Sequence, residues 1–246
     1  MNKGAIARII DFSAVDGPGN RMVVFFQGCN FNCLYCHNPE TIVLAGAAEE
    51  NPEYPAVYRE MALMEILARY RKAKPFISGI TFSGGECTLQ FEFLMSVCTA
   101  LKEQEKAHIL IDTNGQISGE RLEQLLTVVD GLMIDVKSVD PDRHRFLTGV
   151  GNEQVIRSFR QALSAGKLAE VRTVILGNET AGGETVRWVA QELAAVDATV
   201  PYRTIRYRLH GVRKEMVPLL KPPSDVQMVH CKALAEAAGL MNVIVV

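Results

Sequence analysis

Met22-Val-Val-Phe-Phe-Gln27 runs directly into Gly28-Cys-Asn-Phe-Asn-Cys-Leu-Tyr-Cys-His-Asn-Pro39. The first part is an apolar run of β-branched and aromatic residues and reads as a buried strand. The second part places Cys29, Cys33 and Cys36 in one short loop. A strand that opens into a loop is where α/β proteins usually place their sites. Three thiolates in so short a segment repel one another unless a metal neutralises them, so the loop reads as a metal site. Four protein ligands close a structural zinc site or an iron-sulfur cluster, whereas three leave one metal position open to a substrate. A catalytic centre is therefore expected. His37, directly after Cys36, offers the alternative of a Cys3His zinc site. Adjacent side chains turn toward one metal with difficulty, and Cys-x3-Cys-x2-Cys differs from the paired Cys-x2-Cys knuckles of zinc modules.

The chain has 246 residues, enough for one large α/β domain with a substantial core. Hydrophobic residues make up 48% and charged residues 22%, which places it among globular proteins. A net charge of -2 gives no electrostatic reason to expect nucleic acid. No apolar run reaches bilayer length, and the first residues are too mixed for a signal peptide. The expectation is no membrane association and a cytoplasmic location, where thiolates stay reduced.

Strand signals fall at 4–12, 77–82, 108–112, 131–136, 170–176, 204–209 and 242–246. Helices are read around Leu63 to Tyr70, from Phe91 to Leu101, after an N-cap at Ser118, from Asn152 to a stop at Gly166, through Val186 to Leu193, and from Asp225. Residues 41–57 read as an irregular connection, and Val15-Asp-Gly-Pro-Gly-Asn-Arg21 as a turn. Alternation of strand and helix about six times implies parallel strands joined by right-handed crossovers. The expected fold is α/β, a partial (β/α)6 TIM-like barrel open on one side, whose lateral mouth suits a macromolecular substrate. In such folds the loops after the strands share one face. Cys29, Cys33 and Cys36, then Gly84-Gly85-Glu86, Asp112-Thr113-Asn114, Asp135, Lys137, Arg172 and His210 are thus expected at one rim. Cys98 and Cys231 fall on apolar helix faces and read as core residues, while Cys87 is placed against the pocket.

Cys29-x3-Cys33-x2-Cys36, with the aromatic Tyr35 before the last cysteine, resembles the signature of the radical S-adenosylmethionine superfamily. The resemblance implies that these cysteines hold a [4Fe-4S] cluster whose open iron binds the amino and carboxylate groups of S-adenosylmethionine. An electron from the cluster then splits the sulfonium to a 5'-deoxyadenosyl radical. Asp16-Gly-Pro-Gly19 is similar to a segment of the glycyl-radical-enzyme activating enzymes that contacts the incoming peptide, so Asp16 and Arg21 are candidates at the mouth of the site. Gly84-Gly85-Glu86 resembles the element that binds the methionine amino group. Asp112 and Asp135 match acidic positions that help hold that group or a cation, with Lys137 supplying donors for the carboxylate. A solvated Asp and Lys pair is the alternative reading. Asp112 with Thr113, and Met133 with Asp135, resemble a monovalent-cation site. Tyr35 matches a position that faces adenine, His210 one at the ribose and Arg172 one on the nucleotide side, and His37 is placed in the same cofactor-binding set.

Longer activating enzymes insert a ferredoxin-like module with further cysteines, but no cysteine lies between Cys36 and Cys87. A single radical SAM domain over 1–246 without that insertion is expected. The implied function is glycyl-radical-enzyme activation, with abstraction of a Cα hydrogen from one glycine of a partner enzyme. Flavodoxin or ferredoxin would supply the electron, and the chain would act as a monomer. Arg206-Tyr-Arg-Leu-His-Gly-Val-Arg213 departs from the pattern of the pyruvate formate-lyase activators, which leaves the partner open. Two rival readings are a radical SAM enzyme acting on a small molecule or peptide, and a zinc-stabilised binding module.

Overall fold

The computed structural model describes residues 3–46, 53–177 and 182–246. Part of the expected 41–57 connection therefore lies outside the described residues. The chain forms two compact units, one of Met1–Asn30, Glu40–Thr113 and Ile117–Met133, the other of Phe31–Pro39, Asn114–Gln116 and Ile134–Val246. In the first unit the strands line up in the order β3 (Arg59–Ala62), β1 (Lys3–Ser13), β2 (Arg21–Phe26), β4 (Gly79–Gly84), β5 (Ile109–Thr113), and in the second in the order β7 (Leu168–Ile175), β8 (Tyr202–Arg206), β9 (Val243–Val245).

In the first unit, β1 (Lys3–Ser13) pairs antiparallel with β2 (Arg21–Phe26) and with β3 (Arg59–Ala62). The strand expected at 4–12 is thus covered by β3 along Lys3 to Ile6. The sequence reading did not mark β3, because four residues carry too little alternation. β2 runs parallel to β4 (Gly79–Gly84), and β4 to β5 (Ile109–Thr113). All six residues of β2 are buried, as a strand covered on both faces requires. The crossover helices present apolar stripes to this sheet: Ile66, Leu67 and Tyr70 from α1 (Leu63–Ala73), Leu94, Val97 and Cys98 from α2 (Phe91–Ala100), Leu122 and Leu125 from α3 (Gly119–Val128). β6 (Gly131–Asp135) follows α3.

Arg21 corrects the sequence reading. It opens β2, while the cysteine loop leaves the other end, about 16 Å away at the rise of a strand. It is 1% exposed, and its guanidinium donates to Thr81 Oγ1 (2.7 Å), Ile80 O (2.7 Å) and His108 O (3.2 Å). Thr81 Oγ1 in turn donates to Asp16 O at 2.7 Å. Arg21 is a strut that pins the Asp16-Gly-Pro-Gly19 turn, with its hydrogen bonds spent inside the unit. Asp16 sits half-buried in that turn, its carboxylate accepting from Ser13 Oγ. Burial pulls the Arg21 guanidinium down to about 10. Arg21→Met is expected to lower stability by about 1–3 kcal/mol, because it strands buried carbonyls. A urea midpoint equal to the parent's would contradict the strut.

In the second unit, α4 (Pro141–Thr148) and α5 (Glu153–Ser164) lead to β7 (Leu168–Ile175). α6 (Gly182–Val196), β8 (Tyr202–Arg206), α7 (Asp225–Ala237) and β9 (Val243–Val245) complete the chain, with β7, β8 and β9 parallel. α5 ends at Gly166, where φ is +63°, as read from sequence. α7 begins with a reciprocal cap between Ser224 and Gln227. α4 has no counterpart in the sequence reading. Its Asp140 cap, Pro141 and closing Gly149 at φ +82° are legible signals, but its body, Asp-Arg-His-Arg-Phe-Leu, has no clear apolar period.

Candidate cofactor site

In the first unit, the ends of β2, β4 and β5 meet around the root of the cysteine loop. Gly84 has φ +128°, and a Cβ there would fall 2.2 Å from Phe26 N. A Cβ on Gly85 would fall 2.3 Å from Gly28 O and 2.4 Å from Thr41 O. The two glycines therefore let backbone pack on backbone. Gly85 N donates to Phe26 O (3.0 Å), Glu86 N to Gly28 O (2.8 Å) and Cys29 N to Ile42 O (3.1 Å). Gln27 adds side-chain bonds to Glu40 O and Val43 O, at 2.8 and 2.7 Å. The loop that carries Cys29 is thus fixed at its root by Gly84 and Gly85.

Glu86 is 1% exposed, and its Oε1 accepts from Thr88 N (3.0 Å), Thr88 Oγ1 (2.6 Å) and Thr113 Oγ1 (2.9 Å). Glu86 and Thr113 are locked to each other, and Asp112 Oδ2 accepts from Ser83 Oγ at 2.9 Å. Cys87 is wholly buried, with Sγ directed at Phe82 O and Asp112 O. Burial, with Glu86 and Asp112 nearby, pushes its thiol well above 9. It is a neutral core thiol; the expected pocket-lining position is corrected, because the turn packs its side chain inward.

In the second unit, Asn32 N donates to Thr148 O (2.8 Å) and Leu34 N to Leu147 O (2.9 Å), so the last turn of α4 holds the cysteine loop by its backbone. These bonds satisfy carbonyls that a helix end leaves unpaired. His144 of α4 is fully buried, edge-on to Phe31 at 5.4 Å, with Nδ1 2.7 Å from Val150 O. Asn152 Nδ2 donates to Ser138 O and Val139 O, at 3.1 and 2.6 Å. The segment 144–152 therefore ties the loop to the residues just after Lys137. Burial, with a smaller contribution from Lys137, holds the His144 imidazole below its usual 6.5, against the opposing pull of Val150 O and Glu153. A group depressed in this way contributes its full stability above 6.5, and that contribution drains as pH falls below that value. Acidification from about pH 7 to about pH 5 is expected to destabilise the parent more than His144→Asn, by urea midpoints at each pH. Equal pH slopes would contradict this.

Cys33 is nearly buried, and burial raises its thiol to about 11 although Lys137 and Arg213 pull it back. A metal arriving at neutral pH must displace that proton. Cys36 N donates to Cys33 O at 3.2 Å, so both cysteines share one turn. Lys137 Nζ lies 2.9 Å from Asp135 Oδ2 and 5.6 Å from the Tyr35 ring centre. Burial pulls Lys137 down, but Asp135, Tyr35 and Cys33 outweigh it and keep the ammonium charged well above its usual value. The Asp135 and Lys137 pair is therefore sheltered, with Lys137 only 10% exposed, which is unlike a solvated surface pair. Tyr35 packs edge-on against Tyr207, and the His37 ring lies parallel to Tyr207, each pair at 6.5 Å.

His37 Nε2 lies 3.0 Å from Arg208 O. That contact engages one of its two ring nitrogens with the backbone. Arg172 bonds through Nε to Glu170, which Arg203 also grips at 2.9 and 3.1 Å. Glu170 and Arg203 were not among the sequence candidates, since their meeting depends on the β7 and β8 register. His210 is exposed, whereas Arg213, three positions on, is buried against Cys33 O.

Among the described residues no three Cys, His, Asp or Glu side chains are gathered around one point as a single ion requires. The donor chemistry still fits the expected cluster: three soft thiols on a loop whose two ends are held by backbone hydrogen bonds.

The sequence model of the Radical SAM superfamily matches residues 23–189. The chain belongs to the radical SAM superfamily. This radical SAM chain is 34% identical over 218 residues to a pyruvate formate-lyase-activating enzyme of Clostridium pasteurianum, covering 87% of this chain and 86% of the relative. It is 31% identical over 261 residues to a putative glycyl-radical enzyme activating enzyme of Haemophilus influenzae, covering 97% and 95%. Its fold resembles the crystal structure of QueE from Escherichia coli, with a TM-score of 0.61 at 13% identity over 99% of this chain and 94% of the other. The open α/β architecture expected from the strand and helix alternation is thus that of a radical SAM protein. No helix among the described residues is long and apolar enough to cross a membrane.

Proposed function

We propose that this radical SAM chain activates a glycyl radical enzyme. The observation that carries the reading is the pair of activating-enzyme relatives above 30% identity, whose matches cover 87% and 97% of this chain rather than the cysteine loop alone. With a [4Fe-4S] cluster on Cys29, Cys33 and Cys36 and S-adenosylmethionine bound, the chemistry supplied is reductive cleavage of the sulfonium and hydrogen abstraction from one glycine Cα. The chain's own residues orient and shelter. Gly84, Gly85 and α4 hold the loop. Glu86, Asp112, Asp135 and Lys137 offer acceptors and a donor for a zwitterion, and Asp112, Thr113, Met133 and Asp135 for a monovalent cation. Tyr35, His37, Arg172 and His210 serve the nucleoside, and Asp16 the incoming peptide. The chain works as an anaerobic, cytoplasmic monomer, with flavodoxin or ferredoxin as donor. The test is anaerobic incubation of the reconstituted chain with S-adenosylmethionine, reductant and candidate glycyl radical enzymes. A glycyl radical in the partner's electron paramagnetic resonance spectrum supports the proposal. Cleavage of S-adenosylmethionine with no radical in any such partner would shift the reading to a small-molecule or peptide substrate.

A further inference from the structure

Arg213 stands outside every group given a role above. It is 8% exposed, on the turn that follows β8. Its Nη2 donates to the carbonyl of Cys33 at 3.3 Å. Its Nε is buried with no hydrogen-bond partner, and no carboxylate pairs with the guanidinium among the described residues. The Tyr207 hydroxyl nearby in sequence is likewise buried without a partner. The turn is not loose. A Cβ on Gly211, where φ is +84°, would fall 2.9 Å from His37 O, and Met216 N donates to Arg213 O at 3.0 Å. Val212 packs in a cluster with Tyr35, Leu147 and Tyr207. The fold therefore holds a cation against a cysteine and leaves its charge unanswered, which is costly unless an anion arrives. Lys137, the other cation near this loop, is already neutralised by Asp135.

We propose that Arg213 sets the reduction potential of the metal centre that Cys33 ligates. Three thiolates make a loaded centre anionic, and reduction adds one further negative charge. A buried positive charge one backbone carbonyl away stabilises the reduced form more than the oxidised form, and so raises the potential. This rests on the cluster reading above. Arg213 acts through charge, as a tuning and positioning residue.

The test is a redox titration of the anaerobically reconstituted full chain, with reduced viologens as one-electron donors and the reduced cluster followed by electron paramagnetic resonance. Each electron gained by the cluster is one lost by the viologen. Arg213→Gln keeps a donor but loses the charge, and its midpoint is expected at more negative potential than the parent's. Arg213→Lys keeps the charge and should stay nearer the parent, and the exposed Arg208→Gln should not move. Arg213→His supplies an independent arm, since its midpoint should fall more steeply than the parent's between about pH 6 and about pH 8. An unshifted Gln variant, or equal shifts for Lys and Gln, would overturn the proposal, as would a His variant with the parent's pH slope where Gln takes up no cluster. Altered affinity for S-adenosylmethionine with no change in midpoint would also overturn it, and would make Arg213 a ligand contact. A parent cluster that forms but does not respond to S-adenosylmethionine would count against the functional reading and leave the midpoint comparison to decide this inference, whereas a parent that builds no cluster overturns both.

Discussion

Cys33→Ala is expected to fold but to take up almost no iron and sulfide on anaerobic reconstitution. Cys33 is 9% exposed, and removing its sulfur costs a small cavity, on the order of 1 kcal/mol. The consequence for metal is far larger. Removing a residue that merely supports a metal ligand typically costs about 10- to 100-fold in affinity, and Cys33 is read as a ligand. With only Cys29 and Cys36 left, the loop no longer offers three thiolates. Cys98→Ala is the useful contrast. Cys98 is fully buried, on the apolar face of α2, where burial keeps its thiol well above 9. That variant should lose comparable stability while loading iron like the parent. Iron and sulfide analysis with thermal melts separates the two, and parent-level loading of Cys33→Ala would overturn its assignment as a ligand.

Gly85→Ala is expected to damage both stability and loading without touching a ligand. Its new Cβ would fall 2.3 Å from Gly28 O and 2.4 Å from Thr41 O. Both are backbone atoms, so no side chain can swing away to make room. Gly28 precedes Cys29, and its own N donates to Thr41 O at 2.9 Å, so relief must move the root of the loop. Overpacking of this kind costs about 1–3 kcal/mol. The melting temperature should fall, and the cluster, if it forms, should be lost faster in air than the parent's. Gly85 is a better probe than Gly84, because Gly84 also has φ +128° and would mix backbone strain with crowding. A Gly85→Ala variant that melts and loads like the parent would mean that the close approach is dispensable.

Local signals carried the fold a long way. The apolar run of β2, the i, i+3, i+4 stripes of α1 and α2, the Ser118 cap of α3 and the stop of α5 at Gly166 all depend on residues within a turn or two of one another. Where the reading stopped short, the deciding contacts were distant. β3 is four residues long and exists because Lys3 to Ile6 offer it an edge. α4 has a polar body, and what it buries, Leu147 and His144, packs in part against Phe31 and Leu34 of a loop more than a hundred positions earlier.

The candidate site divides along the same line. The number and spacing of the cysteines, and the Gly-Gly-Glu and Asp-x-Lys elements, are properties of short segments, and the sequence by itself determined them, with the family they point to. Tertiary structure alone decided which polar residues face which way. Arg21 reads as a candidate at the mouth of the site until Thr81, Ile80 O and His108 O, 59 to 87 positions away, close around it. Gly85 reads as part of a cofactor-binding turn, and only the tertiary structure shows that Gly28 O and Thr41 O leave no space for a Cβ there. Arg213 reads as one more basic residue on a turn until that turn brings it within hydrogen-bond reach of Cys33 O, 180 positions earlier. The physical reason is that thiol chemistry and backbone propensity are local, whereas burial of a charge is set by whatever the rest of the chain packs around it.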